Sequence, residues 1–207
     1  MHTSPLMATT FTTLRVLTLG LTLASGVKSA TAGATNLVNA GHHPALASLR
    51  SLQVEPYMGR WYQVALYPNR FQKQCISDTS ATYQLRGDGT LDVLNQCLDS
   101  AGQWDKATGV ARPVGEVKNG WISPAQLQVS FLPGWLRWLP VGWGDYWVIK
   151  LAEDHRYAVI SEPGREFLWV LSRTPRLSAT DEIQIRAFLV AEGFDLARLQ
   201  THRHSAP

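Results

Sequence analysis

The sequence has few of the residues and motifs from which catalytic and metal sites are built. Its 207 residues include two cysteines and contain no Gly-x-Ser-x-Gly, no His-Glu-x-x-His and no phosphate-binding glycine motif. Their absence argues against serine hydrolases, zinc peptidases and nucleotide-dependent enzymes. We therefore predict a protein that is not an enzyme, with no catalytic residues, no bound metal and no cofactor.

The chain also has little excess of charge of either sign. The chain has 19 Lys and Arg against 16 Asp and Glu, a formal net charge of +3. Arg15 and Lys28 belong to the N-terminal leader described next, so the rest of the chain has 17 basic and 16 acidic residues. There is no run of Lys and Arg and no basic helix face. A nucleic acid is therefore not a predicted partner.

No apolar run is long enough to cross a bilayer, which takes roughly 20 residues. The main apolar stretch, residues 16–24, follows Arg15 and precedes Ala30-Thr31-Ala32, small residues of the kind that a signal peptidase reads. This order predicts a secretory signal over residues 1–32, with an N-terminal anchor as the alternative. No cysteine follows the stretch as a site for lipid attachment. We expect an exported protein with an N-terminal extension over residues 33–53.

The two cysteines, Cys75 and Cys97, suit an oxidising compartment. They flank Arg86-Gly87-Asp88-Gly89, which is typical of a hairpin turn. With residues 87 and 88 at the turn, residue 75 lies opposite residue 100, which is three positions from Cys97. A bulge or a loose strand end would close this offset. We predict a disulfide between them, and two buried free thiols are the alternative.

Short segments with strand character follow one another from residue 59 to residue 172. Leu127, Val129 and Phe131 alternate with polar residues, which predicts a strand with one buried face. Turn signals separate the segments and no long helical segment lies between them. This pattern favours an antiparallel barrel or sandwich over a doubly wound α/β fold. The predicted strands cover about 59–67, 77–85, 90–98, 106–114, the residues around 127–131, 145–151, 156–161 and 166–172.

One helix follows the strands. The segment Ser178-Ala179-Thr180-Asp181 has the form of a capping box and predicts where the helix begins, and Gly193 predicts where it ends. Ile183, Ala187 and Val190 fall on one face. Since the helix has no partner helix, we expect this face to pack on the outside of the sheet.

Four stretches of the sequence form a specific set. They are Tyr57-Met58-Gly59-Arg60-Trp61-Tyr62-Gln63-Val64-Ala65, Ala81-Thr82-Tyr83, Asp88-Gly89-Thr90-Leu91-Asp92-Val93-Leu94-Asn95 and Leu168-Trp169-Val170-Leu171-Ser172-Arg173-Thr174-Pro175. With this set the chain resembles the lipocalin family, in particular the bacterial lipocalins of the outer-membrane lipoprotein type. The resemblance implies an all-β fold with one C-terminal helix, an eight-stranded up-and-down antiparallel β-barrel over residues 54–200, followed by a tail over residues 201–207.

The sequence departs from that family at two points. Ala152-Glu153-Asp154 stands where the family has Thr-Asp-Tyr, and only Glu153 keeps the acidic character. The bacterial relatives usually carry a lipid-modified cysteine after the signal, and this chain has none there. The second departure concerns anchoring rather than fold. We expect a periplasmic protein, either free or associated with the outer membrane.

The resemblance gives Gly59, Trp61 and Arg173 structural roles: Trp61 closes the base of the barrel and Arg173 stacks on it. Interior positions follow from alternation, counted from Trp61 for Gln63 and Ala65 and from Arg173 for Trp169, or from the resemblance. The predicted ligand-binding residues are Ala65, Ala81, Tyr83, Val93, Asn95, Ala111, Leu127, Val129, Phe131, Tyr146, Val148 and Trp169. This mostly apolar lining suits an acyl chain, and its three alanines favour an open cavity over a filled interior.

The loop over residues 131–143 is rich in Trp, Leu, Pro and Gly. The predicted strand directions place it at the open end of the barrel, and Trp135 and Trp138 are costly to leave in water. We predict that both contact a membrane during ligand exchange, since Trp is favoured at membrane interfaces. A lid over the cavity and a homodimer contact are the alternatives.

The resemblance also implies a function. We expect the barrel to bind, store or transport a fatty acid or a lysophospholipid, for the maintenance of envelope lipids. The alternative is a lipid-modifying, isomerase-like enzyme on the same barrel. Such an enzyme with a cavity thiol needs a free cysteine. Whether Cys75 and Cys97 are free or joined in a disulfide therefore distinguishes the enzyme from the binding protein.

Overall fold

The computed structural model describes residues 43–205, so the predicted signal over residues 1–32 and the first part of the extension lie outside the described residues. Strands and helices follow one another along the chain in a simple order. They are β1 (Leu52–Gln53), α1 (Val54–Tyr57), β2 (Gly59–Leu66), β3 (Ser77–Leu85), β4 (Leu91–Leu98), β5 (Trp104–Pro113), β6 (Glu116–Lys118), β7 (Trp121–Ser123), β8 (Gln126–Ser130), β9 (Gly144–Leu151), β10 (Tyr157–Ser161), β11 (Leu168–Ser172), α2 (Ala179–Ala191) and β12 (Gln200–Thr201).

Eight of these strands close into an antiparallel barrel, which confirms the predicted fold class. Around the barrel the order is β2, β3, β4, β5, β8, β9, β10 and β11, and β11 pairs again with β2. All neighbours are antiparallel, so every strand edge in the ring has its hydrogen-bonding partner and no open sheet edge remains in it. The register between β2 and β11 shifts between Val170 and Leu171, which marks a bulge at the closure.

The end of the barrel at which β2 begins, here called the base, is closed by neighbouring segments. Strands β1, β7 and β6 form a small three-stranded sheet there. Leu52 and Ile122 lie opposite each other in this sheet and are buried in the same cluster as Trp61. The indole N–H of Trp61 donates to the carbonyl of Tyr57 at 2.8 Å. The base is therefore a packed apolar floor rather than an opening.

Arg173 covers this floor from outside. Its guanidinium carbon lies 3.7 Å from the centroid of the Trp61 ring. Its two terminal nitrogens donate to the carbonyl of Arg60 at 2.7 Å and to the carbonyl of Pro56 at 2.6 Å. Gly59 has φ +87°, a conformation that other residues rarely adopt, and a Cβ there would stand 3.7 Å from Arg173. This arrangement joins the residue after the last barrel strand to the first one.

Helix α2 begins as the sequence predicts. The Ser178 hydroxyl accepts from the backbone N–H of Asp181 at 3.1 Å and so caps the first turn. The Asp181 carboxylate, which is buried, pairs with the Arg156 guanidinium at 2.7 Å. The ion pair fixes the first turn of the helix to the start of β10, so Asp181 faces the barrel.

The predicted buried face of α2 is wrong. Ile185 and Leu189 are buried against the outer surface of the barrel, whereas Ile183 and Val190 are 69% and 57% exposed and Ala187 is exposed as well. Apolar residues are so dense in this helix that two stripes fit its period. Asp181 faces the barrel. The residues four and eight positions further on, Ile185 and Leu189, therefore pack against the barrel as well.

The C-terminal segment, predicted as a tail, lies along β2. Strand β12 pairs with the end of β2, and the backbone N–H of His202 donates to the carbonyl of Val64 at 2.9 Å. The His202 Nε2 accepts from the backbone N–H of Thr79 at 3.3 Å and lies 2.7 Å from the Thr79 hydroxyl. Because a backbone N–H is the donor, this bond needs an unprotonated Nε2.

The contact of His202 predicts a pH dependence of stability. Burial, and then the nearby His204, lower the pKa of His202, against the opposing effects of a hydrogen bond with the Ser77 backbone and of Asp78. A lowered folded-state pKa stabilises the fold above the unfolded value of about 6.5, and this contribution is lost as the pH falls through the folded-state value. We expect the stability difference between the wild type and His202→Gln to shrink as the pH is lowered from neutrality. Urea unfolding over that range measures it, and a difference that grows on acidification would contradict this assignment.

Candidate ligand-binding site

Most of the predicted ligand-binding residues do lie inside the barrel. Six are buried in the interior cluster and three more are partly buried against it. Phe131, predicted on the buried face, follows β8 and is 45% exposed. Its ring lies against Gly109, where a Cβ would be 2.8 Å from it. Asn95 lies opposite Ala81 and shares its inward face. The nine residues of the cluster are Ala81, Tyr83, Val93, Ala111, Leu127, Val148, Val129, Tyr146 and Trp169.

Ala65 is the exception, and its predicted interior position is wrong. It is buried in the cluster between barrel and helix, together with Ile185 and Leu189. The bulge between Val170 and Leu171 breaks the alternation on which the prediction depended, because it shifts the pairing of β11 along β2. Ala65 lines an external groove of about 440 Å³ between β2, α2 and the C-terminal segment instead.

Three tyrosines fill the lower half of the barrel. The Tyr146 hydroxyl oxygen lies 2.6 Å from that of Tyr57 and 3.0 Å from that of Tyr83, so the three form a hydrogen-bonded chain. Burial raises the pKa of Tyr83 to about 12 and raises the pKa of Tyr57 and Tyr146 well above the usual value. The hydroxyls are therefore neutral and form a hydrogen-bonded network in the lower half of the barrel.

The cavity beside these tyrosines is small. Its volume is about 10 Å³, close to the minimum that one water molecule needs. Several predicted ligand-binding residues line it: Tyr83, Ala111, Leu127, Val129 and Tyr146. An acyl chain does not fit in this cavity, and the open cavity that the three alanines predict is not seen beside the base.

A polar cluster lies in the upper half of the barrel, toward the end where β2 ends. The side-chain Nε2 of Gln72, in the loop between β2 and β3, donates to the Oε1 of Gln63 at 2.8 Å. The indole N–H of Trp169 and the Nδ2 of Asn69 donate to the Gln72 Oε1 at 2.9 and 3.2 Å. Sequence reasoning placed Gln63 and Trp169 inside but missed Gln72, because nothing in the loop sequence shows that one of its polar residues turns inward.

The loops over residues 67–76 and 131–143 both lie at the end opposite the base, here called the mouth. The strand directions require this, since β2 and β8 both run from the base and these loops follow them. Trp135 and Trp138 are 75% and 76% exposed, so they do not fold over the cavity as a lid. Trp143 differs: its indole N–H donates to the Arg137 carbonyl at 2.7 Å.

The predicted disulfide between Cys75 and Cys97 is present. It fixes the end of the first mouth loop to β4, and the described residues contain no free cysteine. Cys75 precedes β3, whose pairing with β4 begins at Ser77 and Leu98, so it lies in the loop and not in the ladder. This loose strand end lets it reach Cys97, 22 residues away.

Comparisons with known proteins agree with this architecture. The family described as the lipocalin-like domain matches residues 52–204. Temperature-induced lipocalin-1 of Arabidopsis thaliana is 40% identical over 73% of this chain and 78% of its own length. The outer membrane lipoprotein Blc of Citrobacter freundii is 33% identical over 73% and 78%. Insecticyanin of the tobacco hornworm Manduca sexta, a solved structure, has a TM-score of 0.62 at 18% identity, over 80% of this chain and 87% of its own.

The family match therefore spans the barrel, the small sheet of β1, β6 and β7 that closes its base, and the C-terminal strand β12. Two independent features agree with it: the closed eight-stranded ring and the stacking of Arg173 on Trp61. The chain belongs to the lipocalin family, whose members bind small hydrophobic ligands.

Proposed function

We propose that this lipocalin binds a fatty acid or a lysophospholipid in the upper half of its barrel and stores or transports it. The observation that carries the proposal is a barrel interior lined by apolar side chains beneath two mouth loops with exposed aromatic residues. An acyl chain gains about 0.8 kcal/mol for each CH₂ group transferred from water to such an interior. A headgroup would remain at the mouth, where Arg70 and Lys73 lie on an exposed loop.

The same geometry supports binding over catalysis. The alternative, an isomerase-like enzyme with a cavity thiol, needs a free cysteine, and both cysteines are in the disulfide. The interior hydroxyls are neutral tyrosines whose pKa values burial has raised. Neither observation supplies a nucleophile or a base at the proposed ligand site.

We further propose a location in the periplasm, with contact to the outer membrane during maintenance of envelope lipids. Two relatives bear the name outer membrane lipoprotein, and that name supports an exported, envelope-associated protein. In the described part of the chain no helix is long and apolar enough to cross a membrane. We assign the contact to Trp135 and Trp138 and leave a homodimer at the same surface as the competing arrangement.

A blocking variant tests the proposed site. Asn95 lies on the inner face of β4 opposite Ala81, toward the mouth, and Gln96 beside it points outward by alternation. Asn95→Trp should reduce uptake of a fluorescent fatty acid by at least about tenfold, because the larger ring occupies the chain's space at a packing cost of roughly 1–3 kcal/mol. Gln96→Trp is the matched control and should bind as the wild type does. Equal binding by both variants, each with a cooperative thermal transition, would place the ligand elsewhere.

A further inference from the structure

Gln72 is held at the top of the barrel by its side chain. Its amide bonds both Gln63 and Trp169, while the ends of its loop are fixed by other means. At the start of the loop the backbone N–H of Tyr67 donates to the Leu168 carbonyl at 2.8 Å, and at its end Cys75 is in the disulfide. The Gln72 amide can therefore leave the interior without releasing the loop.

The side-chain amide of Gln63 is only half satisfied, because its oxygen accepts from Gln72 and its nitrogen has no partner among the described residues. The residue is 97% buried, since only 3% of it is exposed, and its Nε2 has no hydrogen-bond partner within residues 43–205. Exchanging the oxygen and nitrogen of this amide does not remove the problem, because one of the two atoms stays unpaired either way. A buried donor without a partner is unfavourable, and such groups in native proteins are usually satisfied by a ligand or water.

Gln63 and Trp169 bond the same small group, so their amide and indole lie within reach of a single polar group. Every partner in this cluster is uncharged: Gln63, Gln72, Asn69 and the Trp169 indole. An uncharged oxygen could accept from both the Trp169 Nε1 and the Gln63 Nε2. An ionised carboxylate would lose its hydration here with no cation in the cluster to balance it.

We propose that the Gln72 amide occupies the site for the ligand's polar group and yields it when the ligand binds. The ligand is an acyl chain headed by an uncharged carbonyl, an ester or amide, which replaces the Gln72 Oε1 as the acceptor for Trp169 and takes the free Gln63 donor as well. This rests on the proposed function, because it assumes that an acyl chain enters the upper barrel. It adds a preference for esters and amides over free acids and a residue that competes with them.

Gln72→Ala tests the competition, with Gln74→Ala as the control. Gln74 lies in the same loop, but its amide donates outward to Asp105 at 2.7 Å. The probes are a pyrene-labelled long-chain fatty acid and its methyl ester, titrated below their aggregation concentrations. Gln72→Ala should bind the ester about threefold to tenfold more tightly than the wild type does, the range expected for removing one competing hydrogen bond. Gln74→Ala should leave both affinities unchanged.

The remaining outcomes each overturn the inference in a recognisable way. If Gln72→Ala binds the ester no better than Gln74→Ala does, the Gln72 amide does not compete. If Gln72→Ala weakens binding, the amide holds the ligand instead of yielding to it. If the wild type prefers the free acid, the assignment of an uncharged acceptor is wrong although the proposed function stands. If the wild type takes up neither probe, the proposed function itself fails.

Discussion

Replacing Arg173 with alanine should lower the free energy of unfolding by about 3 kcal/mol. The change removes a cation–π contact worth about 0.5–2 kcal/mol and two hydrogen bonds from a charged donor to the Pro56 and Arg60 carbonyls. Partial exposure of Arg173 keeps the expected loss below the sum of these terms. Because these contacts join the end of the last barrel strand to the start of the first, their loss weakens closure of the ring.

Thermal unfolding measures the effect, and we expect a decrease in Tm of about 6–12 °C for a domain of this size. Arg173→Lys should lie between the two proteins, since an ammonium keeps the charge but cannot reach both carbonyls in a fixed geometry. Arg176→Ala is the control, because Arg176 is exposed and makes no side-chain hydrogen bond or ion pair within the described range. Unchanged melting with weakened lipid affinity would instead place Arg173 at the ligand.

Exchanging Trp135 and Trp138 together for serine should slow lipid transfer from vesicles by about tenfold. Both side chains are about three-quarters exposed on a mouth loop, where an aromatic ring can enter a membrane interface as the lipid passes into the barrel. A tenfold change corresponds to about 1.4 kcal/mol of lost interfacial contact. Affinity for monomeric lipid in solution should stay nearly the same, since neither ring lines the interior cluster.

Trp121→Ser is the matched control, because Trp121 is 43% exposed on β7 at the base, away from the mouth. It should transfer lipid at the wild-type rate. A parallel fall of transfer rate and affinity in the double variant would mean that the two mouth tryptophans contact the ligand. If neither quantity moves and the native mass halves, the surface is a dimer contact.

Much of the fold follows from local pattern. Alternating apolar residues and turn signals place the eight barrel strands to within about two residues at each end, because strand burial and turn chemistry are both read over a few residues. The capping serine and Gly193 likewise mark the ends of α2 locally. The packing of Arg173 on Trp61 could not be derived from pattern, since it joins residues 112 positions apart, and only the family resemblance predicted it.

The errors have a different origin. Ala65 and the buried face of α2 depend on register: one bulge moves Ala65 outward, and one ion pair at Asp181 selects between two apolar stripes. Gln72 was missed because its inward turn depends on two partners, Gln63 and Trp169, that are distant in sequence. Whether a segment forms a strand depends on its local sequence. Which side chains face the barrel interior depends on contacts between strands that are distant in sequence.

Native mass spectrometry of the protein purified from its own source tests the central claim most directly. The account predicts one subunit-bound species whose added mass equals a single-chain acyl lipid, and the loss of that species in Asn95→Trp but not in Gln96→Trp. A spectrum of ligand-free protein that also fails to take up a fluorescent fatty acid would contradict the claim that this barrel carries an acyl lipid.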